Sequence, residues 1–146
     1  MATFDLTTTD VLQNTNLSTR RQERRYRVDF STMGDGTGLA ATETATLCTL
    51  PSGWVHEQCD VILRTAEGEA ATLDIGISGD TDGFLDGGSL NGTANALVTK
   101  AGTETLLPGK YFHTATDVEL LCPAAANTIN VAVIDVTFVG YLQVTS

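Results

Sequence analysis

The run AATLDIGISGDTDGFLDGG, residues 70–88, begins with strict alternation. Leu73, Ile75 and Ile77 are apolar, while Thr72, Asp74 and Gly76 between them are small or polar. A period of two sends one set of side chains into a core and the other toward water or a neighbour. The alternation ends at Ser78, and the chain passes into GDTDGFLDGG, where glycine and aspartate depress strand propensity. A half-buried strand feeding a long ordered loop is the expected unit, and the rest of the chain repeats it.

Outward from that stretch, the same alternation recurs. Tyr26, Val28 and Phe30 alternate with Arg25, Arg27 and Asp29, which predicts a strand over about 24–31, closed by the turn GDGTG at 34–38. A second strand places Leu39, Ala41, Ala45 and Leu47 on one face. Glu43 breaks that face and marks an edge or interface. After the turn at residues 50–53, a third strand runs over about 54–64, and the polar connection at 66–69 leads back into residues 70–78. Asn91-Gly92 and Pro108-Gly109 are turn signals bracketing a short strand over 96–100, and another follows at 110–113. Val118, Leu120 and Cys122 share a face over 117–122.

The last strand, 128–144, changes phase. Ile129, Val131 and Val133 are apolar at odd positions, then Ile134, Val136 and Phe138 at even ones. Such a slip predicts a bulge near residues 133–135 or burial on both faces, and a long apolar final strand is expected centrally in its sheet. About eight strands and no convincing helix give an all-β, antiparallel two-sheet sandwich. It suits a jelly roll slightly better than an immunoglobulin-like order.

The 146 residues are one domain's length, enough to bury roughly two-thirds of the unfolded surface. The formal charge is −10, from 18 acidic and 8 basic residues. Five of the eight, Arg20, Arg21, Arg24, Arg25 and Arg27, fall within residues 20–27. So acidic a body repels phosphate backbones, which argues against nucleic-acid binding by the main fold. The arginines themselves fit a solvated segment, a docking arm for an acidic partner, or, less well, a nucleic-acid contact with only Tyr26 to stack. Residues 1–19 are Thr-rich with scattered apolar positions, so residues 1–23 are expected as an N-terminal arm and 24–146 as the sandwich. The N-terminus lacks a secretory pattern and no apolar run is long enough to span a membrane, so a soluble product of a cytosol is expected.

Chemistry is sparse. Cys48, Cys59 and Cys122 form no C-x-x-C pair and fit buried thiols. His56 lies near Glu57 and Cys59 without a nucleophile context, and His113 has no evident partner, so no catalytic residue is assigned. Asp80, Asp82 and Asp86 around Phe84 resemble the start of a calcium loop. The third early ligand and terminal Glu are missing, and Asx-turns account for the same residues. No metal or cofactor is assigned; Asp80, Asp82, Phe84 and Asp86 remain candidate contact residues of the loop.

The stretch ATLDIGISGDTDGFLDGGSLNGTA (71–94) resembles small head decoration, or cement, proteins of tailed bacteriophages. The resemblance implies a β-sandwich made in the host bacterial cytoplasm that binds the outside of a mature shell. Its partner would be the phage major capsid protein, its state a homotrimer at local three-fold points, and its arm would reach neighbouring capsid subunits. The alternative is a carbohydrate- or receptor-binding module of a phage tail or fibre, with loop 79–95 as its recognition surface. A lone tryptophan, Trp54, expected in the core rather than as a sugar platform, weighs against that alternative.

Overall fold

The computed structural model describes residues 3–5, 11–13, 21–98, 105–106, 108–124 and 126–143. The alternation around Tyr26 becomes a strand, preceded by two short ones: β1 (Thr3–Asp5), β2 (Val11–Gln13) and β3 (Gln22–Asp29). β3 turns Gln22, Arg24, Tyr26 and Val28 inward and Glu23 and Arg25 outward. Two 3-10 turns over Phe30–Gly36 follow, started by the Asp29 carboxylate, which accepts the Ser31 N–H at 3.0 Å. They bury Phe30 and Met33, so the connection expected as a bare turn is part of the core.

The remaining strands are β4 (Thr44–Leu50), β5 (Trp54–Thr65), β6 (Thr72–Ile77), β7 (Asp80–Ser89), β8 (Ala96–Leu97), β9 (Lys110–Tyr111), β10 (Thr116–Leu121) and β11 (Val133–Leu142). They form an all-β sandwich of two sheets. Sheet one has the order β1-β4-β10-β6-β7, and sheet two the order β2-β3-β11-β5-β8, with β9 also pairing β5. Every pairing is antiparallel except β1 with β4. Within residues 1–23, β1 lies along the β4 edge and β2 along the β3 edge.

β11 is central, between β3 and β5, as its apolar content suggests. Its register against β5 shifts between Val133 and Ile134, where the phase change falls, and again between Val139 and Gly140. The second shift has a steric counterpart. A Cβ on Gly140 would lie 2.3 Å from the Val55 carbonyl oxygen and 2.6 Å from the Trp54 ring, so the indole packs against bare backbone there. The strand starts at Val133 and not at residue 128. Ile129 instead forms an isolated antiparallel bridge with Leu39, and β4 begins only at Thr44. Glu43, out of phase in the sequence, folds its carboxylate onto the Ala40 N–H at 2.9 Å.

The loop expected after Ser78 is corrected by the structure. Ser78 and Gly79 (φ +88°) make a two-residue turn, and Asp80–Ser89 returns as β7, paired with β6 through two register shifts. Tertiary pairing overrides composition because Phe84 and Leu85 are fully buried, Phe84 against His56 and Phe138 of the opposite sheet. The glycines serve close packing: a Cβ on Gly83 would lie 2.5 Å from the Leu106 side chain. The two sheets meet at a ring cluster. Phe84 of sheet one packs edge-on to His56 (4.7 Å between centroids) and Phe138 (5.3 Å) of sheet two, and Tyr26 contacts Phe138 at 6.2 Å.

Candidate functional site

Arg24, Arg25 and Arg27, which fall in the strand expected over about 24–31, lie in β3; Arg21 immediately precedes it, and Arg20 lies outside the described residues. Arg24 shares the inward parity of Tyr26 and is 8% exposed, its guanidinium carbon 5.2 Å from the centroid of the buried Trp54 ring. A cation over an indole face replaces the carboxylate that a buried arginine usually requires. Arg24 Nε and Trp54 Nε1 are nevertheless buried with no hydrogen-bond partner among the described residues. Strand parity was the available signal for this site, since it places Arg24 with Tyr26 and Val28.

Arg25 and Arg27 project from the other face of β3, beside Arg21. There Asp135 of β11 is flanked by two cations. Arg27 donates to it through Nε at 2.8 Å and Nη2 at 3.0 Å, and Arg64 of β5 through Nε at 2.7 Å. The Asp135 side chain is only 4% exposed beneath them. Its carboxyl is held low, at about 2, chiefly by the hydrogen bond from Arg27; burial opposes this, and the Arg64 hydrogen bond and both positive charges reinforce it. Arg64 also donates to the Asn95 side chain at 3.1 Å, and Arg21 pairs with Glu57 at 3.2 Å. Sequence reasoning missed Arg64 and Asp135, which lie far apart in the chain and meet only through strand register.

The candidate contact residues of the former loop separate. The Phe84 ring is core and not surface. Asp80 accepts the Thr105 hydroxyl at 2.7 Å. Asp82 and Asp86 lie near Asp74, whose carboxyl is raised first by burial and further by those two charges. Among the described residues, no group of three or more His, Cys, Asp or Glu is disposed to hold a metal ion. His56 is 2% exposed inside the ring cluster, and Tyr111 covers one edge of His113. All three cysteines are buried and outside any disulfide; burial pushes Cys48 up to about 12 and Cys122 up to about 11, which keeps both protonated at neutral pH. No helix among the described residues is long and apolar enough to cross a membrane.

Glu67, in the connection between β5 and β6, is 6% exposed, and its carboxylate accepts three successive backbone N–H groups: Asn130 (2.9 Å), Val131 (3.0 Å) and Ala132 (2.7 Å). It therefore fixes the segment that delivers β11. An open groove of about 570 Å³ lies alongside, and its lining residues, 67–69, 127, 128, 130 and 131, include no aromatic ring. With Phe84 buried and residues 80–89 in a strand, the recognition loop expected at 79–95 is reduced to residues 90–95.

The outward chemistry of sheet two is thus a mixed arginine–carboxylate network centred on Asp135. The fold itself is shared with phage capsid structures. It matches a chain of the capsid asymmetric unit of cyanophage Pam1 with a TM-score of 0.60 and 21% identity, over 89% of this chain and 90% of that one. It also matches a chain of the capsid of Ralstonia phage GP4 with a TM-score of 0.61 and 17% identity, over 99% of this chain and all of that one. At these identities the likeness is one of fold. No protein-family model matches the sequence, and no curated protein matches it.

Proposed function

We propose that this chain is a structural, non-enzymatic virion protein: a decoration or cement protein that binds the outer surface of a tailed-phage head and stabilises it. The observation that carries this reading is the near full-length coincidence of its fold with chains from two phage capsids, one of them covered end to end. The strand order supports it, because β4-β10-β6-β7 facing β3-β11-β5-β8 is the interleaved order of a jelly roll. A decoration protein needs contact area multiplied by symmetry and no reaction centre, which fits a sandwich whose cysteines and His56 are buried in its packing. The partner is the major capsid protein, the oligomer a homotrimer, and residues 1–23, with their arginines, an arm that adds contact to neighbouring shell subunits. The acidic body keeps the protein off DNA during assembly.

The test is cosedimentation of the purified chain with heads lacking it. Saturable binding that raises the temperature at which the heads release DNA is the expected result, and no binding would overturn the proposal. Removal of residues 1–20 leaves β3 and all its β11 partners in place, so that variant should unfold cooperatively yet bind heads at least about tenfold more weakly. Unchanged binding by the shortened chain would remove the arm from the docking account.

A further inference from the structure

The chain holds six asparagines, at 14, 16, 91, 95, 127 and 130, and only Asn91 precedes a glycine. Asn91-Gly92 reads as a turn signal in the sequence, and in the fold both residues are exposed, in the connection between β7 and β8. That connection is pinned on either side of them. Leu90 is fully buried, donates its N–H to the Ala71 carbonyl at 2.9 Å and accepts the Glu67 N–H at 2.9 Å. Asn95 donates its N–H to the Leu63 carbonyl. Residues 91–94 between these anchors are all exposed.

The other described asparagines are each held. Asn95 accepts Arg64 Nη1 on its side-chain oxygen at 3.1 Å, and Asn127 donates Nδ2 to the Ala70 carbonyl at 2.7 Å. After Asn130, the Val131 N–H is bound by the Glu67 carboxylate at 3.0 Å. The residues that follow these three, Ala96, Thr128 and Val131, also carry a Cβ that crowds the peptide nitrogen. Asn91 differs on every count. Its backbone N–H donates to Ser89 Oγ at 3.4 Å, but neither its carboxamide nor the Gly92 N–H has a hydrogen-bond partner among the described residues. A Cβ added at Gly92 would meet only Leu63 Cδ2, at 4.0 Å, so the approach to Gly92 is open.

We propose that Asn91 is a self-modification site, where the Gly92 nitrogen attacks the Asn91 carboxamide and the amide is lost as ammonia. A bond forms between Gly92 N and Asn91 Cγ as the Cγ–Nδ2 bond breaks, and the Gly92 amide proton leaves with the ammonia. The product is a cyclic imide. Water then opens it: addition at Cγ gives aspartate, and addition at the Asn91 backbone carbonyl gives isoaspartate, whose main chain runs through the side-chain carbons. Water is the one co-reactant. Glycine makes the ring closure accessible, because without a Cβ the following nitrogen reaches Cγ unhindered. Asp35, Asp82 and Asp86 also precede glycines but carry no amide to release, and the Gly87 N–H is taken by the Asp74 carboxylate at 2.8 Å. Either product adds one negative charge to a chain of formal charge −10, on the rim of the groove that Asn91 shares with Thr72, Ser89 and Pro123. The anchors at Leu90 and Asn95 confine the change to the loop, and the chemistry holds whatever the chain binds.

The test incubates the full chain in neutral buffer and follows every asparagine-containing peptide by mass spectrometry. Isoaspartate is identified by labelling with a protein-isoaspartate methyltransferase. Conversion at Asn91 should run about tenfold or more faster than at Asn95, Asn127 or Asn130, with aspartate and isoaspartate both formed. Gly92→Ala meets neither a clash nor a left-handed φ, so it should keep the urea midpoint of wild type while slowing conversion about tenfold or more. Conversion at Asn91 no faster than at the other three, or a Gly92→Ala variant that converts at the wild-type rate, overturns the assignment.

Discussion

Glu67→Ala should lower stability by about 3 kcal/mol, a large effect for one residue in an outwardly polar connection. Its carboxylate is the acceptor for three N–H groups in a row, those of Asn130, Val131 and Ala132. Each donor left without a partner costs about 1–3 kcal/mol when water cannot reach it. The groove beside Asn130 and Val131 admits water to part of the site, which keeps the total near the low end of that sum. Urea unfolding should show a lowered midpoint with an unchanged slope, and thermal unfolding a midpoint about 10 °C lower. Glu67→Gln, which keeps one acceptor oxygen, should fall between the two. A loss below about 1 kcal/mol in the alanine variant would mean that the segment before β11 is held by other contacts.

Asp135→Ala should cost about as much, for a different reason. The substitution leaves Arg27 and Arg64 side by side over an emptied site that their carboxylate had neutralised. Breaking a buried pair costs about 3–5 kcal/mol, and the exposure of Arg27 to solvent places this case at about 3 kcal/mol. The pH dependence isolates the carboxylate. Its folded pKa, about 2, lies below the ordinary value of about 3.9, so its contribution is present above pH 4 and is lost as pH falls from 4 toward 2. Linkage converts that shift into about 2 kcal/mol. Urea midpoints measured across this window should fall more steeply in wild type than in Asp135→Asn, and parallel curves would contradict the assigned role.

How far the sequence carries these conclusions depends on the residue. Alternation around Tyr26 and Val28, and in residues 73–77, correctly marks β3 and β6, because half-buried strands write their two faces into the chain. β7 is hidden because its glycines are selected for close approach to Leu106, Leu85 and Val98, and so mimic a loop. Glu67 is hidden for the opposite reason: a carboxylate in a polar turn looks solvated, and only the folded chain brings the segment at 130–132 to it. Of the candidate site, the cluster of arginines was legible by composition, and Arg24's inward direction by parity. The partners Asp135 and Arg64 were not, since cross-strand register joins residues more than seventy positions apart. Metal ligands were suggested at Asp80, Asp82 and Asp86 by spacing alone, and extension along β7 spreads those positions out.

The central claim, a structural role on the phage head, is tested most directly by counting. Quantitative peptide mass spectrometry on purified particles of the phage that encodes the chain should find it at a copy number comparable to that of the main shell subunit. A handful of copies per particle, or none, would contradict the decoration role.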